Sequence, residues 1–347
     1  MIYPFSITTA PIIRYPSLSD YEIGALVSPK SWGYVGKDAG FCDGGAKTNI
    51  IVIDDFELGL SYSDTVFMNY DSELIQRDVY AEKIKKVLNI GKKLIINYRL
   101  KAYLSDLLLD WSQILVIGKN TAIMTSDYGQ GILPINVPTI IVAGTGENCD
   151  KFNIQLGLRE YFTPKSSSIL QFGTKDYSEL FRFMPLPDFL FVPGDFSSKI
   201  LSFNHYLYHE VKKIKPDLLI IGVPGGISYI TLNEPRKFGE LALCISNAVN
   251  VDVGILSMYA DKYPPELLEE IRKSTRYKLK CPIVLLHVSN KKFIFDVFVN
   301  NEPVSFLTID AQRHEKTDGT FFIHDKTKAE TVYSDIEKMF TESEHII

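Results

Sequence analysis

Residues 138–152, PTIIVAGTGENCDKF, set Gly144, Thr145, Gly146, Glu147, Asn148, Cys149 and Asp150 between a β-branched apolar run and Lys151. The run 139–143 reads as a buried strand and the stretch 151–161 as a helix, so the glycines fall in a strand-to-helix turn. Such a turn can hold an anion, because free backbone N–H groups at a helix N-terminus and the positive end of the helix dipole converge on it. Lys151 would bring a point charge to terminal phosphates. The strict pattern GxxxxGK followed by Ser or Thr is absent, however. From spacing alone a glycine turn with a lysine is more often structural than phosphate-binding.

Other residues offer weaker chemistry. Arg14, Lys30, Trp32, Lys37 and Asp38 fall in the loops after the first two strands, among Gly33, Gly36, Gly40, Gly44 and Gly45. Loops at the carboxyl ends of parallel strands are where open α/β sheets bind ligands, so this cluster could grip a carboxylate or phosphate. Ordinary surface charge on a long solvated loop is the better account of it. Asp54 and Asp55 close the third strand, where an acid could bind a ribose; without GxGxxG after the first strand, helix N-capping explains the pair better. His205 and His209 stand four apart on a predicted helix but lack an HExxH glutamate or a third ligand, so no metal site is expected. No GxSxG elbow appears. Cys149, placed where a helix N-terminus would lower its pKa, reads as a buried structural thiol.

The elements that position these residues alternate. Short strands at 2–5, 22–28, 49–53, 65–69, 93–98 and 114–117 surround a helical pattern over 72–89, which predicts a Rossmann-like open parallel sheet over 1–133. Residues 127–138, rich in Gly and Pro, read as a linker. A second α/β series follows: strands at 139–143, 217–221, 252–257 and 283–287, helices at 151–161, 197–214, 237–249 and 264–274, and an alternating segment at 293–299. This predicts a degenerate phosphate-loop domain over 134–325 and a peripheral C-terminal helix and tail over 326–347. A chain of 347 residues, 46% hydrophobic and 23% charged, suits two such domains. The net charge of −5 argues against a nucleic-acid partner. The absence of a signal-peptide pattern and of any apolar window near 18 residues argues against export and membrane insertion. The four separated cysteines fit a reducing cytoplasm.

The glycine turn resembles the longer loop, Gly-Thr-x-x-x-x-Gly-Lys-Thr, of the dethiobiotin synthetase and cobyric acid synthase type of P-loop protein, at Gly144, Thr145 and Lys151. It departs where Asp150 replaces glycine and Phe152 replaces the magnesium-binding Ser or Thr. A carboxylate beside the phosphates would repel them by roughly 1 to 4 kcal/mol at about 4 Å, and the lost hydroxyl removes a metal ligand. The segment 215–226, KPDLLIIGVPGG, resembles the neighbouring strand of those synthetases with its turn at Gly225 and Gly226. Its strand-end glutamate is replaced here by Gly222 or Val223. The resemblance implies a three-layer α/β/α domain and ATP or GTP with magnesium as the ligand.

IVAGTGENCDKFNIQLGLREYF, LQFGTKDYSELF, SFNHYLYHEVKKIKPDLLIIGVPGG and FGELALCISNAVNVDVGILSM, with YPFSITTAPIIRYPSLSDYEIGALVSPKSWGYVGKDAG and IDDFELGLSYSDTVF near the start, resemble an accessory family of peptide-maturation gene clusters, as far as about residue 310. Such clusters make ribosomally synthesised, post-translationally modified peptides (RiPPs, which include bacteriocins), typically beside a radical SAM enzyme. The resemblance implies that the partners are the precursor peptide or that enzyme, with self-association left open. With the loop, it implies an accessory protein that binds a nucleotide or other phosphate-bearing ligand at the degenerate P-loop; the alternatives are an ATP-dependent enzyme that activates a carboxylate or transfers a phosphoryl group, and a catalytically inert scaffold. More distantly, the two-domain plan resembles a family that includes an N-acetyltransferase of D-glutamate metabolism.

Overall fold

The computed structural model describes residues 1–71, 75–124, 131–228, 239–294, 305–313, 315 and 317–343. They form two compact α/β units, Met1–Lys119 with Lys175–Pro185, and Asn120–Thr174 with Leu186–Ile347.

In the first unit, strands β1 (Ile2–Tyr3), β2 (Thr65–Met68), β3 (Lys93–Asn97) and β4 (Ile114–Ile117) pair in parallel in that order. Parallel bridges from Ile2 to Leu26 and from Val27 to Ile53 extend the sheet beyond β1. The resulting order, 3-2-1-4-5-6 along the sequence, is that of a Rossmann-like sheet. The helices are α1 (Pro11–Arg14), α2 (Phe56–Ser61), α3 (Arg77–Asn89) and α4 (Tyr98–Tyr103). The apolar stripe of α3, Tyr80, Ile84 and Val87, packs with Val66, Met68, Leu94 and Ile96 of the sheet. Asp55 caps α2 by accepting the Leu58 N–H at 3.0 Å, as the sequence suggests, and Asn97 caps α4 through the Leu100 N–H at 3.0 Å.

The second unit holds β5 (Thr139–Gly144), β6 (Ile169–Phe172), β7 (Leu218–Gly222), β8 (Val253–Met258) and β9 (Ile283–Val288), all parallel, in the order β6-β7-β5-β8-β9. Its helices are α5 (Lys151–Phe162), α6 (Phe196–Ile214), α7 (Glu240–Ala248), α8 (Pro265–Leu279) and α9 (Lys326–Ser343). Because side chains alternate along a strand, Ile140 and Val142 face one side, where they join Ile154 and Leu158 of α5 and Tyr333 and Ile336 of α9. An antiparallel hairpin, β10 (Lys291–Ile294) with β11 (Ser305–Thr308), follows β9.

Three expectations shift. Residues 175–185 leave the second domain for the first unit, where the buried Tyr177 ring meets Phe67 edge-on at 5.9 Å and its hydroxyl donates to the Thr8 carbonyl. Asn120 and Leu133 belong to the second unit, where Asp188 N–H donates to Asn120 O at 2.8 Å and Leu133 N–H to Asn204 Oδ1 at 2.7 Å. The C-terminal helix, expected to be peripheral, contributes the buried residues Ala329, Tyr333 and Ile336 to the core. Parts of the linker reading (125–130), the 293–299 strand (295–299), and the starts of the 72–89 and 237–249 helices (72–74, 237–238) lie outside the described residues. No helix among the described residues is long and apolar enough to cross a membrane.

Candidate phosphate-binding loop

β5 delivers Gly144 to the carboxyl edge of the second sheet, and α5 begins at Lys151. The neighbours β5 and β8 send their connections to opposite edges, toward β6 and β9. The loop therefore lies at a topological switch point, where open α/β sheets take ligands. A side chain at Gly144 would collide with Cys149 Sγ and the stem of Lys151. Asn148 and Asp150 hold left-handed backbone at φ 53° and φ 62°, which costs most L-residues roughly 1 to 2 kcal/mol and which Asn and Asp tolerate best. The glycine of the related loops at position 150 suits this backbone.

The loop is braced from three sides. Thr145 N–H donates to Ser257 O at 2.9 Å, and Ile227 N–H donates to Gly144 O at 2.9 Å, tying the loop to the Gly225–Gly226 turn. The Tyr259 hydroxyl donates to Glu147 O at 2.6 Å. Beneath it, His287 Nε2 accepts the Ile323 N–H at 3.1 Å, which places the ring proton on Nδ1. Nδ1 then donates to Ser257 Oγ at 2.8 Å, and Ser257 Oγ donates to Cys149 O. This relay through buried groups, with the bonds to the Gly144, Gly146 and Glu147 carbonyls, commits the loop's carbonyl oxygens to partners within the protein. Among the described residues, the N–H groups of Asn148, Cys149 and Asp150 donate to no backbone carbonyl. The Thr145 hydroxyl is likewise buried without a partner.

Lys151 is 5% exposed, and its ammonium donates to Gly146 O at 2.7 Å and to Gly225 O. Both partners are neutral, and among the described residues Lys151 joins no ion pair. A buried cation without a counter-charge is costly, and here it sits at a helix N-terminus that favours anions. Asp150, expected to repel phosphates, is balanced from below. Burial raises its carboxyl, but the attraction of Lys291, then of His324, outweighs that, so its pKa lies below the ordinary carboxylate value. Asn153 Nδ2 donates to Asp150 Oδ1 at 3.2 Å, and among the described residues Oδ2 has no hydrogen-bond partner. Cys149 is fully buried, and burial pushes its thiol up against the pull of Lys151. It is a structural thiol that packs over Gly144.

A divalent metal fits less well than an anion. Phe152, in the position of the hydroxyl ligand, is 2% exposed and packed inward. At the end of β7 a side chain on Gly222 would collide with the amide of Gln155. That amide is fixed, since Nε2 donates to Phe172 O at 2.7 Å and Oε1 accepts the Thr174 N–H at 3.0 Å. Val223 is fully buried. The acid missing from β7 thus has its place filled by Gln155.

The first-unit candidates are committed to their own loops. Arg14 forms a two-pronged pair with Asp43, through Nε at 2.9 Å and through Nη2, and also donates to Ala46 O and Gly40 O. Asp38 accepts the N–H groups of Gly40, Thr48 and Asn49. Asp54 pairs with the exposed Lys30 at 2.9 Å, and the Lys37 ammonium lies 4.1 Å from the Phe41 ring centroid. His205 meets the Gly131 carbonyl at 2.8 Å, while His209 lies against Tyr208. Ser257, Tyr259, Gln155, Lys291 and His287 escape the sequence reading as loop supports. The polar ends of the runs 252–257 and 283–287 are the only trace they leave.

No family model and no curated protein matches the chain. Among solved structures, a DUF1611 family protein from Anabaena variabilis matches 83% of this chain and 84% of its own, with TM-score 0.56 and 16% identity. The likeness is one of fold. An apo GTPase from Pyrococcus abyssi matches 57% of this chain and 84% of its own, with TM-score 0.30 and 13% identity.

Proposed function

We propose that the loop at Gly144–Gly146 and Asp150–Lys151 binds a phosphate-bearing ligand, and that the protein serves, in the cytoplasm, as an accessory factor in maturing a ribosomally synthesised, modified peptide. The observation that carries the ligand reading is Lys151, a buried ammonium held by neutral carbonyls at a helix N-terminus. Loop N–H groups that donate to no backbone carbonyl among the described residues, and the position at the switch point, support it. Thr145, Gly225 and Gly226 complete the rim, with Glu147 and Asn148 at the loop's outer edge. The pathway reading rests on the resemblance of the quoted segments to the peptide-maturation family, with the precursor peptide or its radical SAM enzyme as partner.

Thermal unfolding with and without millimolar ATP, GTP or pyrophosphate tests the ligand reading. A ligand at about 100 times its Kd stabilises by about 2.7 kcal/mol, so wild type should show a clear rise in Tm. Lys151→Met, which keeps the buried stem, should lose that rise. If no phosphate compound shifts either protein, the loop is a structural turn and the chain acts as a scaffold.

A further inference from the structure

We infer that the phosphate taken by this loop is bound as the free anion, without a divalent metal, its charge being met by Lys151 and the helix N-terminus. This deepens the reading above and rests on it. In phosphate loops that work with magnesium, the ion neutralises the phosphate through a hydroxyl beside the lysine and an acid on a neighbouring strand. Here both positions are closed by packing: Phe152 is buried, and Gln155, fixed by two hydrogen bonds, occupies the space that a side chain on Gly222 would need. Of the loop's two carboxylates, Glu147 stands at its outer edge, while Asp150 lies deeper and feels the attraction of Lys291, itself 3% exposed. Asp150 and Lys291 cancel to first order, and the one buried charge left over at the loop is that of Lys151, since Glu147 lies at the outer edge. The Thr145 hydroxyl, buried without a partner among the described residues, supplies a further donor. A single phosphate or a pyrophosphate group fits this charge, and Asp150 sets how tightly it is held.

Calorimetric titration of the full chain with pyrophosphate and with ATP, in EDTA and in millimolar magnesium, decides the matter. Binding in EDTA that magnesium leaves unchanged or weakens is the expected result. Binding that magnesium tightens about tenfold or more overturns the inference while leaving the phosphate site standing, and binding in neither buffer overturns both. Asp150→Asn, which removes a carboxylate charge from beside the bound anion, should tighten pyrophosphate about tenfold in EDTA. An unchanged affinity in a folded Asp150→Asn protein removes Asp150 from its role.

Discussion

Ending the chain before Lys326 should unfold the second unit or leave it insoluble. The lost helix carries Ala329, Tyr333 and Ile336 in the core, with Val332 and Phe340 packed against the same cluster. Burying one large apolar side chain contributes roughly 1.5 to 3 kcal/mol, so the helix as a whole supplies an amount comparable with the total stability of a domain, about 5 to 15 kcal/mol. Its removal would also bare Ile154, Leu158 and Phe162 along α5. Limited proteolysis and soluble yield read the effect directly. The milder Tyr333→Ala should fold but lose about 3 to 5 kcal/mol, part of it through the ring's contact with Tyr161 at 5.8 Å. A truncated chain as protease-resistant as wild type would show the helix to be an appendage after all.

Arg14→Ala should cost the first unit about 3 to 5 kcal/mol, because it strands Asp43, whose side chain is 4% exposed, as a buried charge without its partner. Two backbone carbonyls in the glycine-rich loop lose a donor in the same step. Urea unfolding of Arg14→Ala, Asp43→Ala and the double variant measures the coupling, and the double variant should cost clearly less than the two singles added. Lys30→Ala, whose 80% exposed side chain meets Asp54 at the surface, should change stability by less than about 0.5 kcal/mol. Additive effects at Arg14 and Asp43 would mean that the pair does not hold the loop, and would return Arg14 to the list of ligand-binding candidates.

What the sequence reveals and what it hides follow from the range of the interactions. The phosphate loop is legible because everything that makes it is local: a β-branched strand, glycines, then a helical period beginning at Lys151. The alternation of strands and helices likewise exposes both parallel sheets, although strand order comes from pairing between distant segments and leaves no local mark. Asp150 shows the limit most clearly. Its neighbours in sequence make it look like a misplaced charge facing phosphates, while the groups that balance it, Lys291 and His324, come from far along the chain. Gln155 carries no motif, yet its amide decides that β7 cannot bear an acid at Gly222. The return of residues 175–185 to the first unit depends on Tyr177 reaching Phe67 and Thr8, contacts invisible to any periodicity. The C-terminal helix was open to a better reading, since Ala329, Val332, Tyr333, Ile336 and Phe340 recur at three- and four-residue intervals along one face.

The most direct test of the account is to follow the backbone amide resonances of the 15N-labelled protein as pyrophosphate is added in EDTA. The expected result is saturable movement centred on Gly146, Asn148, Cys149, Asp150 and Lys151, absent from Lys151→Met. Movement confined to residues outside the loop, or none at saturating pyrophosphate, would contradict the claim that this turn is built to hold an anion.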